Sequence, residues 1–232
     1  MKPLELTPRL QLLADWVRSG ARLADVGTDH AYLPVWLRLH GRVVYAIACD
    51  LRKGPLKRAG ETCQAYGVDR ICCRQGDGLA SVTPEEADTI VIAGIGGENI
   101  AAILAKAPWT ADGTHTLLLQ PQTRAEVLRA FLADHGYAIR REALVEDRGI
   151  FYPVMEAAGG EMALSLGQLY GGAALLHDPL GDRYIIEKII RLQGAVAGIN
   201  RSGGNQEKGD ALRDIITALL SMREEWRLAN SR

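Results

Sequence analysis

The chain has 232 residues, 47% of them hydrophobic and 24% charged, with 27 Lys+Arg against 28 Asp+Glu and a net charge of -1. That length supports one substantial core plus a smaller appendage, and the balanced charge excludes a polyanion partner recognised through overall charge, so any nucleic-acid surface has to be a local patch. No apolar run approaches the length of a membrane span, and Met1–Leu13 lacks a secretory apolar core, so a cytoplasmic protein without membrane contact is expected.

Leu6, Leu10, Leu13, Trp16 and Val17 recur at helical spacing over residues 6–19, with Thr7 as N-cap and Pro8 at the first helical position. A short apolar strand over 22–27 then runs into the tight turn Gly27-Thr28-Asp29-His30, and Pro34 stands where the next helix, ending near His40, begins. Val43–Cys49 is a nearly continuous apolar run, as in a strand covered on both faces, and it ends at Asp50. A helix follows over 55–66, with Gly67 as its C-terminal glycine. Strands at 71–74, 89–92 and 116–120 alternate with helices over 98–106 and 125–134, and 137–145 with 150–157 form an antiparallel hairpin. This order predicts an α/β doubly wound, Rossmann-like sheet with an antiparallel edge strand.

The small-residue stretch Ala157-Ala158-Gly159-Gly160 marks a boundary between a domain over 1–158 and a helical domain over 161–232. In the second, Ile185, Ile189, Leu192, Val196 and Ile199, then Leu212, Ile215, Leu219, Met222 and Trp226, alternate spacings of three and four. Two heptad-patterned helices joined by Gly203-Gly204 predict an antiparallel coiled-coil hairpin. Its charges balance, so a role toward nucleic acid is expected to rest on shape or a one-sided stripe. Cys49, Cys63, Cys72 and Cys73 show no C-x-x-C spacing and read as buried small hydrophobes; no metal is expected.

Parallel strands deliver their carboxyl ends to one edge, which brings together Gly27-Thr28-Asp29-His30, Asp50-Leu51, Gly76-Asp77-Gly78 and Gly94-Ile95-Gly96-Gly97. Gly27 allows close backbone approach, and Asp50, about twenty residues on, is spaced to accept from a ribose diol. The turn carries side chains where a pyrophosphate needs the glycines of G-x-G-x-x-G. A nucleoside cofactor without phosphates fits better; S-adenosylmethionine is such a molecule, and Asp77 offers an acceptor for its adenine amino group. Taken singly, Asp50 equally suits a helix N-cap and Asp77 a turn between glycines.

Asp25-Val26-Gly27-Thr28-Asp29-His30-Ala31-Tyr32-Leu33-Pro34, Gly76-Asp77-Gly78-Leu79, Ile92-Ala93-Gly94-Ile95-Gly96-Gly97 and Leu119-Gln120-Pro121 together resemble the bacterial TrmK family of tRNA (adenine-22-N1)-methyltransferases. The resemblance covers about residues 4–157, and more loosely 161–232. It implies a class I S-adenosylmethionine-dependent methyltransferase sheet with a cofactor site at Gly27, Thr28, Asp29, His30, Asp50, Leu51, Asp77, Gly78, Ala93 and Gly94. It further implies Asp29 as the catalytic residue and places Gly96 and Gly97 between cofactor and substrate. On the tRNA side, Arg9 offers local positive charge and Tyr32 a stacking surface, a ring that equally suits packing beside a helix start. The Asn/Asp-Pro-Pro-aromatic loop of amino-group methyltransferases is absent, which agrees with a ring-nitrogen target. Arg18, Arg52, Lys53, Lys57 and Arg58 supply local positive charge for the tRNA body, and a monomer is the default. Competing readings are a methyltransferase for another RNA site or a small molecule, a tRNA- or protein-binding module without activity, and a nicotinamide dehydrogenase.

Overall fold

Burial is nearly continuous along the central strands, so both faces are apolar, and this builds the sheet. The computed structural model of the protein describes residues 3–231; the outermost residues of the two expected domains lie outside that range. Strands β1 (Ala21–Val26), β2 (Val43–Asp50), β3 (Ile71–Gln75), β4 (Thr89–Ile95), β5 (Thr116–Pro121), β6 (Tyr137–Asp147) and β7 (Ile150–Gly159) form one seven-stranded sheet. Its order is β3-β2-β1-β4-β5-β7-β6. The first five strands pair in parallel, while β7 pairs antiparallel with both β5 and β6, so the hairpin forms that margin of the sheet.

Helices α1 (Pro8–Trp16), α2 (Tyr32–Leu39) and α3 (Lys53–Tyr66) cover one face, and α4 (Gly97–Ala105) and α5 (Ala125–Asp134) the other. Val26, Ile92 and Leu119 meet Ile100 and Leu128 on one side, while Leu23, Val91 and Leu118 meet Leu13 and Leu37 on the other. Helix α2 begins two residues before Pro34, because Ala31 adopts a left-handed conformation with φ 53° and caps it. Strand β3 is the sheet edge, so its cysteines escape burial. Cys49 alone is buried; Cys63 and Cys72 are half-buried and Cys73 is exposed, which corrects the expectation that all four are core hydrophobes.

Past the hairpin lie α6 (Leu166–Gly171), α7 (Gly181–Ser202) and α8 (Gln206–Asn230). The six residues of α6 are too few to show a periodicity; a capping box between Ser165 and Gln168 starts it. Helices α7 and α8 run antiparallel, with Arg223 of α8 donating to Asp182 at the start of α7 at 2.6 Å, and they bury Ile185, Ile189, Ile215 and Leu219 between them. The distal Val196 and Ile199 are only half-buried. Among the described residues no helix is long and apolar enough to cross a membrane.

The helical segment is fastened to the sheet by a buried ion pair. Arg129 of α5 donates to Glu142 of β6 at 3.0 and 2.5 Å and to the Leu169 carbonyl of α6 at 2.7 Å. The second carboxylate oxygen of Glu142 accepts from the Ala173 amide at 2.7 Å, and both side chains are fully buried. Removing one partner strands the other charge in a medium that cannot solvate it. Glu142→Ala is expected to cost about 3–5 kcal/mol by urea denaturation, whereas a joint Arg129→Met, Glu142→Leu replacement recovers most of that loss; equal losses in the two variants would refute the account.

Candidate active site

Backbone hydrogen bonds pin the strand ends together. The amides of Gly27 and Thr28 both donate to the Cys49 carbonyl at 2.9 Å, and the Gly76 amide to the Asp50 carbonyl at 3.1 Å. Beyond β4, the Gln122 amide donates to the Ile95 carbonyl at 2.8 Å and the Gly97 amide to the Thr123 carbonyl at 2.7 Å. The four loops expected at one edge therefore meet there, joined by a fifth that follows β5. Gly27 has φ +81° and no atom within 4 Å of where a Cβ would stand, so its backbone lies bare beside the opening.

Beneath the first turn lies a carboxylate that no sequence argument singled out. Asp25 is buried on β1, and with Leu10, Gly27, Tyr32 and Ala93 it lines a hollow of about 200 Å³. The Thr28 hydroxyl accepts from the Ala31 amide at 3.1 Å, which braces the left-handed Ala31 above the strand. Burial pushes the Asp25 carboxyl up to about 6, and a bond from Thr28 opposes that shift only in part. The available signal was an acid between Ala24 and Val26 in a strand covered on both faces.

The other acids sit differently. Asp50 is buried and its Oδ1 accepts from the Arg52 amide at 2.7 Å, leaving Oδ2 without a donor among the described residues. Leu51 beside it is exposed. Asp77 meets the ammonium of Lys106 at 2.7 Å in an exposed pair, and Gly78 abuts Ile103 of α4. Asp29 is exposed and is held by the Arg58 guanidinium, which keeps its carboxyl below the usual carboxylate range. His30 lies 3.6 Å from Asp29 and stacks on Tyr32 with ring centroids 5.0 Å apart.

Two of the tRNA-side residues are engaged within the chain. Arg9 donates to Asp147 at 2.9 Å and covers the Tyr152 ring. Gly97 is buried, and a Cβ there would stand 2.3 Å from the Arg124 carbonyl, so only glycine permits this approach of α4 to the loop after β5. Gly94 is exposed with φ +79°, and Tyr32 is 41% exposed, which leaves that ring accessible at the mouth. Arg52 and Arg58, read from sequence as surface charge, are exposed and stand beside Asp50 and Asp29.

A family model described as a methyltransferase domain matches residues 6–155. A Bacillus subtilis tRNA (adenine(22)-N(1))-methyltransferase is 38% identical over 179 residues, 74% of this chain and 75% of that protein. The crystal structure of Bacillus subtilis TrmK, an m1A22 tRNA methyltransferase, superposes with a TM-score of 0.81 at 30% identity over 98% of this chain and 99% of that one. This chain belongs to the tRNA (adenine(22)-N(1))-methyltransferase family. A Streptococcus pneumoniae candidate tRNA (m1A22) methyltransferase, solved in complex with S-adenosyl-L-methionine, is 33% identical with a TM-score of 0.84, covering 94% of this chain and all of that one.

The methyltransferase offers what such a ligand needs. Bare backbone at Gly27 permits close approach, and among the described residues Asp50 has one carboxylate oxygen without a donor, as a hydroxyl pair would need. No glycine pair cradles a pyrophosphate. Asp25 confers a pH dependence whose sign follows from its burial. With a folded value of about 6 against an ordinary 3.8, the folded methyltransferase keeps a proton that the unfolded chain has already lost. Stability tied to Asp25 therefore falls as pH rises from about 4 to about 6, by at most about 3 kcal/mol, and stays lost above. Denaturation of Asp25→Asn is expected to gain on the wild type across that window; a difference independent of pH would rule the titration out.

Proposed function

We propose that the chain transfers the methyl group of S-adenosyl-L-methionine to N1 of adenine 22 in tRNA. The observation that carries the reading is the match to m1A22 enzymes along almost the whole chain, joined to a sheet edge where five loops surround a hydroxyl-accepting acid and a bare glycine backbone. The cofactor supplies an activated methyl on a sulfonium sulfur. The N1 lone pair forms the new C–N bond as the methyl–sulfur bond breaks toward sulfur, so positive charge moves onto the adenine ring. The chain's own task is alignment and exclusion of water.

In this reading Gly27, Thr28, His30, Asp50, Leu51, Asp77, Gly78, Ala93 and Gly94 hold the cofactor, and Tyr32 with Gly96 faces the base. Asp29 serves as a fixed negative charge beside the ring. Its pairing with Arg58 keeps it ionised, which suits electrostatic stabilisation and not proton acceptance from the amino group. Residues 1–158 act as the catalytic domain and 161–232 as a helical domain of a cytoplasmic monomer.

A separate groove of about 260 Å³ runs from the loop after β5, at Thr123 and Arg124, to α7, where Glu187, Lys188 and Arg191 line it. Lys188 rests over the Tyr184 ring at 4.9 Å, and among the described residues it makes no ion pair, so its charge is available to a phosphate. The deciding experiment incubates the protein with labelled S-adenosyl-L-methionine and bacterial tRNA and maps the product. 1-Methyladenosine at position 22 is expected; methylation at N6, at another position, or absent from tRNA overturns the reading. In the same assay Asp29→Asn is expected to lower kcat by about tenfold or more with cofactor affinity retained, and wild-type kcat would remove Asp29 from the chemistry. Joint Lys188→Ala, Arg191→Ala substitution is expected to raise KM for tRNA several-fold and to lower the salt slope of binding by about one for each lost phosphate contact, and an unchanged slope would place the RNA elsewhere.

A further inference from the structure

Gln120 is a fully buried amide at the carboxyl end of an apolar strand, 1% exposed and flanked by Leu119 and Pro121. Its partners explain its presence. The parallel ladder between β4 and β5 pairs Ala93 with Gln120 and Ile95 with Pro121, so Gly94 is one residue too many on β4 and is squeezed out as a bulge. A bulged amide loses its ladder acceptor, and an unpaired backbone group inside a protein is costly. Here the Gly94 N–H donates to Gln120 Oε1 at 3.2 Å, while Gln120 Nε2 donates to the Pro121 carbonyl at 3.0 Å. Pro121 has no N–H to offer, and regular pairing resumes only when the Gln122 amide reaches the Ile95 carbonyl at 2.8 Å. One side chain thus replaces a missing rung.

We infer that Gln120 is a positioning residue, whose amide holds the Gly94 bulge and so sets where the Gly94–Gly97 loop stands at the mouth of the site. The far end of that loop is fixed independently, by the Gly97 amide on the Thr123 carbonyl at 2.7 Å and by contact of Gly97 with Arg124. Only the Gly94 end relies on a side chain. The role needs an acceptor and a donor on one planar group: a carboxylate keeps the acceptor and turns the other oxygen against the Pro121 carbonyl, and a thioether supplies neither. The catalytic consequence rests on the proposed methyl transfer, in which this loop separates donor and base and a displacement near 1 Å costs up to about a hundredfold in rate.

Two variants of the full chain test this, Gln120→Met, close in shape without either bond, and Gln120→Glu, which retains the bond to Gly94. Amide hydrogen exchange at Gly94 is expected to quicken by about tenfold or more in Gln120→Met, as loss of one net hydrogen bond of about 1.4 kcal/mol implies, and less in Gln120→Glu. Single-turnover methylation at saturating tRNA and cofactor is expected to slow by about ten- to a hundredfold in Gln120→Met, with tRNA and cofactor dissociation constants within about twofold of wild type and partial recovery in Gln120→Glu. Unchanged exchange at Gly94, a wild-type single-turnover rate, or a rate loss that tracks only the unfolded fraction as temperature is varied would overturn the proposal. If the wild-type chain leaves tRNA unmodified, the methyltransferase reading fails, and Gly94 exchange still decides whether Gln120 holds the bulge.

Discussion

The Cys49 carbonyl accepts from two successive amides, Gly27 and Thr28, and the site depends on that shared acceptor. It stops β1 one residue short of β2 and forces the chain to turn away between β2 and β4, where the helices switch from one face of the sheet to the other. An open α/β sheet has its crevice at such a point because the loops on either side leave in opposite directions. The bare Gly27 backbone and the hollow over Asp25 both lie within a few residues of that turn.

Around the turn, neighbouring cations sort four carboxylates into different roles. Arg58 holds Asp29 ionised at the surface, and Lys106 ties Asp77 to α4. Asp50 has one oxygen bonded to the Arg52 amide and the other without a donor among the described residues, and Asp25, buried beside the Thr28 hydroxyl, retains its proton to about pH 6. The chain's near-zero net charge thus conceals local pairing: part of the basic cluster after β2 serves these acids and is not left free for RNA. On α7, beside a groove that opens from the loop after β5, Lys188 makes no ion pair among the described residues while Arg191 pairs with Glu187.

Most of the architecture was legible because two-sided burial writes itself into sequence as apolar runs closed by Gly or Asp, as at Val43–Asp50 and Thr89–Gly94. The elements that escaped lacked such a signature. Helix α6 is shorter than two turns, and the left-handed Ala31, which moved the start of α2 ahead of Pro34, is not a residue type that announces a positive φ. The site was legible as a set of loops and not as a set of contacts. Asp25 and Gln120 were invisible as functional groups, because a buried polar residue has meaning only through its partners. Those of Gln120 lie 26 residues away on β4 and on the next residue of its own strand.

The sequence by itself determined the order of strands and helices, the convergence of glycine- and aspartate-bearing strand ends on one edge, and the family to which those motifs belong. These are properties of local periodicity and of parallel topology, and both are carried by residues near one another in the chain. Only the tertiary structure decided which acid keeps its proton, which is held ionised by an arginine and which glycine stands against a neighbouring carbonyl. Charge and solvation depend on what stands a few ångströms away across the fold, and at Asp29 that neighbour, Arg58, comes from a different helix 29 residues on.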